Sequence, residues 1–364
     1  MMQLTFNTKH LLIMVIAFIC GICWTPFPTW SLTALGAIFY IGHQEKGQQL
    51  LILSIFCLFF FGTTRYHQNR ELFFSNSNLL EKICNATGVV QEILPRLDEQ
   101  EDICIVIKLS KLEIGEKEYF INKKVYLFVP FYTKVWIKPH QKIVLKNIIF
   151  KHPISTSYQE YLIREKIWAT AHQKWLSYST IEKPSLFMQQ MDELYNISFQ
   201  KAGLTLSQLT HTLYLSIFCG KKFKSQTTTE IKRLFQYWGI SHHLARSGLH
   251  LIILIGLLLF LLSFIPCSSS KKQWFVMTLL SFYYITTYPS VAFMRAFYMY
   301  IFYTLCKQLH IPSNPLHILL ITTLFILTLN PHHLFFLDFQ LSFSITALIL
   351  WFFQTAQNRK TIAS

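Results

Sequence analysis

Four residues between positions 243 and 250 are of types that do chemistry: His243, Arg246, Ser247 and His250. Their spacing is i, i+3, i+4, i+7, so on a helix they share one face. The flanking sequence is apolar, and a polar stripe in apolar surroundings faces a bundle interior or a water-filled path. Arg295 and Asp338 are further ionisable groups inside apolar runs. Each such group costs roughly 2.5–3.5 kcal/mol at the centre of a membrane helix. Asp338 is the only acidic residue after Glu230. Groups of this kind find partners, so a pairing of Asp338 with Arg295 or Arg246 is expected. The alternative is arginines that snorkel to headgroups, with Asp338 in a loop.

Other chemistries fit these residues less well. His242, His243 and His250 cluster, but a zinc site wants a third protein ligand, and no acid lies near in sequence. There is no HExxH, no G-x-S-x-G elbow, no Walker loop and no Gly-rich nucleotide fingerprint. Ser247 beside His243 lacks an acid to orient the base and an oxyanion hole. No catalytic residue, metal or cofactor is therefore assigned, and the chain reads as no enzyme. A membrane-embedded hydrolase using the 243–247–250 face, perhaps with metal, stays open as an alternative. Cys20 and Cys23 form a CxxC inside an apolar stretch, where cysteine acts as a small hydrophobe. Cys84 and Cys104 would be able to pair only in an oxidising compartment.

The elements that must position these groups follow from composition. Apolar residues make up 52% of the 364, charged residues only 14%, and Phe counts 33. Average charged content is about 25%, so this composition excludes an ordinary soluble domain. The net charge of +15 has two readings. It attracts a polyanion such as nucleic acid, or it marks cytoplasmic loops.

Apolar runs at 10–27, 30–42 and 50–64 predict N-terminal membrane helices. Denser runs follow at 249–267, 273–288, 291–306, 315–329 and 334–353. Lys271, Lys272, Lys307, Arg359 and Lys360 would lie on the cytoplasmic side. Between these regions the pattern alternates, in VVQEILP, ICIVIKLSKL, KKVYLFVPF and QKIVLKNIIF. That predicts about five strands between residues 84 and 150, the size of an OB-fold. Nine of the eighteen acids fall in the domain at 81–152, which argues against general DNA binding by this part.

Residues 155–200 read as amphipathic helix, with Trp168, Trp175 and Tyr178 at an interface. The expected class is a polytopic α-helical membrane protein with an inserted, small, all-β, OB-like extracytoplasmic domain. Its expected parts are membrane helices (1–66), the β domain (81–152), an interfacial helical segment (153–228), a membrane core (229–356) and a cytoplasmic tail (357–364).

Three stretches carry a family resemblance. GISHHLARSGLHLIIL (239–254), preceded by FQYWG (235–239) and GKK (220–222), resembles the hallmark of the ComEC-type competence proteins. PSVAFMRAFYM (289–299) resembles their proline, serine and arginine-alanine element, and NPHHLFFLDFQLSF (330–343) their FQLSF element. SYQEYLIREKIWA (157–169) is similar as well, and the order of parts agrees over most of the chain. Arg246 departs from a usual aliphatic residue and Asp338 from a common glycine.

The resemblance implies passage of single-stranded DNA through the cell's inner membrane during natural transformation. It implies membrane lipid and other competence proteins as partners, including a separate motor. It makes Ser247, Gly248, Leu249, His250, Arg295, Ala296, Gln340, Leu341 and Ser342 pore or packing residues. Of these, Ser247, Gly248, His250, Arg295, Gln340 and Ser342, with His243, Arg246, Asp338 and Phe339, would line a DNA path, where aromatics such as Phe339 and Tyr298 would stack bases. Longer members continue into a metallo-β-lactamase-like domain with an HxHxDH motif, which this sequence lacks, so no nuclease role is carried over. A shortened, non-functional paralogue is a further alternative.

Overall fold

The computed structural model describes residues 8–43, 49–94, 103–130, 140–172, 178–182, 248–287 and 290–363, with Thr210 and Tyr237. The chain divides into two compact units, residues 1–69 with 246–364, and residues 70–245.

The second unit is built on one sheet. Its strands are β1 (Ile83–Leu94), β2 (Ile103–Ile114), β3 (Lys117–Val129), β4 (Lys142–Ile149), β5 (Ile167–His172) and β6 (Tyr178–Glu182). The order across the sheet is β5-β3-β2-β1-β4-β6. Alternation makes these strands: Ile105, Ile107 and Leu109 of β2 and Val125, Leu127 and Val129 of β3 point to one core. Burying each such side chain contributes about 1.5–3 kcal/mol.

At Gly88 the register shifts and the backbones close in. A Cβ there would sit 2.7 Å from the Lys108 carbonyl oxygen, so only glycine fits. Helix α4 (Thr156–Glu165) packs Leu162 and Ile163 against Phe73, Val106 and Ile167. The buried Trp168 donates its indole N–H to the Ser75 carbonyl at 3.0 Å. Lys123 donates to the carbonyl of Leu72 and to the Ser75 hydroxyl, fastening the end of the preceding helix. Partial burial holds the Lys123 ammonium below its ordinary range. The Cys84 thiol is buried and donates to the Ile148 carbonyl.

The first unit is helical. It contains α1 (Thr8–Cys23), α2 (Pro28–His43), the body of α3 (Gln49–Phe74), α5 (Gly248–Ser263), α6 (Ser269–Thr286), α7 (Val291–Gln308), α8 (Pro315–Leu329) and α9 (Leu337–Ala363). Phe18, Ile22 and Tyr66 share a core with Leu319, Ile326, Leu327, Phe339 and Phe343. Arg65 donates two hydrogen bonds, 3.1 and 2.8 Å, to the Thr328 carbonyl at the end of α8. Helices from both ends of the sequence thus form one body.

Two expectations are corrected. The described residues are not a polytopic helical membrane protein: one helix, Leu337–Ala356, is long and apolar enough to cross a membrane. Gly248–Ser263 and Pro315–Leu329 are apolar but have 16 and 15 residues, roughly 24 Å of helix against a hydrocarbon core of about 30 Å. Apolar runs in the sequence extend through the turns that end these helices.

The expected count of about five strands between residues 84 and 150 is also corrected: among the described residues four lie there, and the sheet is mixed, with β5 pairing parallel to β3. An isolated bridge between Lys151 and Thr170 ties β5 to the chain just past β4. β5 and β6 fall where an amphipathic helix was expected. In β5 every residue from Ile167 to Ala171 is buried, so tertiary packing overrides the local pattern.

Candidate functional site

Three short stretches, far apart in sequence, meet on α7. Ser290 caps this helix by accepting from the Phe293 N–H at 3.2 Å. The cap fixes where the helix starts and so where Arg295, in its second turn, is placed. Gly248, the first described residue of α5, packs against the same turn. A Cβ on it would lie 3.1 Å from the Ala292 carbonyl oxygen, 3.1 Å from Ala296 Cβ and 3.7 Å from Arg295 Nη2. Small residues at 248, 292 and 296 therefore let the two helices touch backbone to backbone.

Arg295 reaches across to α9. Its Nη1 donates to the Ser342 carbonyl and to the Thr346 hydroxyl. Its guanidinium also lies 5.9 Å from the centre of the Phe343 ring. The Thr346 hydroxyl in turn donates to the Ser342 carbonyl at 2.8 Å. Among the described residues Arg295 has no carboxylate partner, and its Nε and Nη2 donate no hydrogen bond. The expected Arg295–Asp338 pair is thus corrected: neutral oxygens and a ring face hold the cation. Asp338 instead sits in the first turn of α9, where its carboxylate accepts from the Phe339 N–H at 2.9 Å. An acid is favoured there by the helix dipole.

The remaining expected residues take several places. His250 is half-buried in the first turn of α5. Gln340 is exposed and donates its amide to the Leu334 carbonyl at 2.8 Å. The Ser342 hydroxyl is buried without a hydrogen-bond partner. Phe339 is a core residue, 3% exposed and stacked on Phe343 with ring centres 4.3 Å apart. It therefore turns its ring into the helix bundle. Tyr298 is half-buried, donates to the Tyr284 hydroxyl at 3.3 Å and meets Phe325 edge-on at 4.8 Å. His242, His243, Arg246 and Ser247 lie outside the described residues, and with them the Arg246–Asp338 alternative. Among the described residues no three His, Cys, Asp or Glu side chains converge to hold a metal ion.

Sequence reasoning missed Thr346 and Arg65. The signal for Thr346 is a hydroxyl four residues after Ser342 in an apolar helix, a spacing that lets both oxygens face one donor. Arg65 carries no such signal, because its acceptor is a helix end more than 260 residues away.

No curated protein and no solved structure matches the chain. The family model described as Competence protein matches residues 220–363, the stretch that contains α5 through α9. It contains all three of the motif stretches that the fold gathers around Arg295. The match over residues 220–363 supports a competence protein of the ComEC type, with a role in competence.

Proposed function

We propose that this chain is a membrane component of the path by which single-stranded DNA enters the cytoplasm during natural transformation. The observation that carries the reading is Arg295. A half-buried guanidinium stands where three motif stretches of the competence region meet, without a carboxylate partner among the described residues. Arginine has five N–H donors, and Nη1 alone is occupied here. The donors left over, and the uncompensated charge, suit a phosphate of a passing strand. The site holds and guides rather than reacts. Movement of the strand would come from a separate motor, and other competence proteins would complete the path. The cell's inner membrane is the site of action, consistent with the apolar helix Leu337–Ala356.

The test is delivery of labelled DNA to the cytoplasm of host cells with the gene intact, deleted, or carrying Arg295→Ala or Arg295→Lys. Deletion should abolish delivery. Arg295→Ala should reduce it at least tenfold, and Arg295→Lys should keep part of it, because the charge remains while the forked geometry is lost. Unchanged delivery on deletion would refute the reading.

A further inference from the structure

Among the described residues on and next to strands β1 to β5, the large exposed apolar side chains lie at one end of the sheet. Ile83, 65% exposed, opens β1 and is the register partner of Ile149 at the close of β4. Phe120, 84% exposed, sits near the start of β3, and the β2–β3 turn lies alongside the start of β1 because Asn85 pairs with Glu113. Leu72 and Phe74 are exposed on the last turn of α3. Ile154 follows β4 and is 99% exposed.

Direct contacts hold these segments side by side. The Glu81 N–H donates to the Phe150 carbonyl at 2.8 Å. The His152 ring lies 4.7 Å from that of Phe73 and 5.6 Å from that of Phe74. At the opposite end of the sheet the register partners Ile103 and Val129 are buried, 8% and 0% exposed. Among the described residues the apolar rim is therefore one-sided, and a contiguous exposed apolar rim marks an interaction surface.

We infer that this rim seats in the headgroup zone of a lipid bilayer. What favours lipid over a protein partner is the chain that leads to it. α3 is one continuous helix from Gln49 to Phe74, and its residues 50–62 contain no charged side chain. Leu72 and Phe74 belong to the last turn of that same helix. Charges interleave with the rim: Arg70, Lys82, Lys117 and Lys151 stand against Glu71, Glu81 and Glu116. Apolar tips among long charged side chains of both signs suit the interfacial layer, where stems are buried and heads stay wet. Near balance of charge makes apolar insertion the driving term, so the contact should depend little on the anionic lipid fraction. This inference rests on a membrane location and not on the DNA reading.

The test uses the full chain in nanodiscs, with a fluorescent amino acid at position 154 or 83. Position 172, an exposed residue at the end of β5, is the control, and position 349, on the exposed face of α9, marks the bilayer. Lipids carrying a spin label high on the acyl chain supply the quencher. Quenching at 154 and 83 should exceed that at 172 at least twofold, in zwitterionic and in mixed anionic nanodiscs alike. Quenching at 349 without excess quenching at 154 and 83 would overturn the rim contact alone. Absence at 349 as well would overturn the membrane location with it. Shielding of 154 and 83 that appears only when two copies share a disc would assign the rim to a second copy and also overturn the inference.

Discussion

Replacing Gly248 with alanine tests the meeting of the three stretches most directly. The added Cβ would stand 3.1 Å from a backbone oxygen of Ala292 and 3.1 Å from Ala296 Cβ. Neither atom is on a rotatable side chain, so α5 must draw back from α7 by a few tenths of an ångström. Overpacking of this kind costs typically 1–3 kcal/mol. The helix-propensity gain from Gly to Ala, up to about 1 kcal/mol in a helix interior, offsets part of this. A net loss of about 1–2 kcal/mol follows, or roughly 2–8 °C in melting temperature for a body of this size.

Gly256 is the control in the same helix, since a Cβ there meets nothing within 4 Å. Gly256→Ala should leave the melting temperature unchanged or raise it. The assay is thermal unfolding of the purified full chain in nanodiscs, followed by tryptophan fluorescence. A second-site change sharpens it: Ala296→Gly removes one of the two close contacts and should restore part of the loss, a coupling that independent sites would not show. If Gly248→Ala melts with Gly256→Ala, the close approach of α5 to α7 is wrong, and so is the placing of Arg295 between them.

Three further outcomes are expected. Gly21→Ala should be harsher than Gly248→Ala, because its Cβ would fall 2.0 Å from the Phe59 carbonyl oxygen where α1 crosses α3; the same melting assay would show a larger drop or failure to fold. The His152 ring is neutral among Phe73 and Phe74, both its nitrogens lack hydrogen-bond partners, and burial pushes its pKa below the ordinary value of 6.5. The unfolded chain then binds the proton more readily, so stability should be full above about pH 6.5 and fall as the pH drops towards the lowered folded value. His152→Phe should remove that dependence in melts recorded between pH 7 and pH 5. The Cys84 thiol is buried, donates to the Ile148 carbonyl at 3.2 Å, and burial pushes its pKa up to about 11. A maleimide at pH 7.5 should therefore modify the exposed Cys267 well before Cys84, as read by mass spectrometry of peptides, with no Cys84–Cys104 disulfide.

Strands β1 to β4 were legible because their alternation is local: Ile105, Ile107 and Leu109 announce a face without knowledge of what covers it. β5 was not, because Ile167–His172 alternates nothing; it is buried on both faces, between sheet neighbours and the helix before it. Membrane helices were over-read for the converse reason. Apolarity gives the run but not its end, and the chain turns at Asn330 before α8 reaches spanning length. At the site, the sequence placed Gly248, Arg295 and Ser342 in separate stretches, and the resemblance said only that they belong together.

What joins them is a cation choosing between acceptors, which spacing cannot decide. An acid four residues before Ser342 makes Asp338 the obvious partner for Arg295. Yet a carboxylate at a helix start already has the backbone N–H of Phe339 to accept from, and the dipole favours it there. Arg295, one crossing away, finds in Ser342 a carbonyl that Thr346 also uses. A pair of opposite charges buried together would cancel. Neutral oxygens hold the guanidinium without cancelling it. On the proposed reading, the same choice of partner that defeats the sequence expectation would leave the charge available to a phosphate.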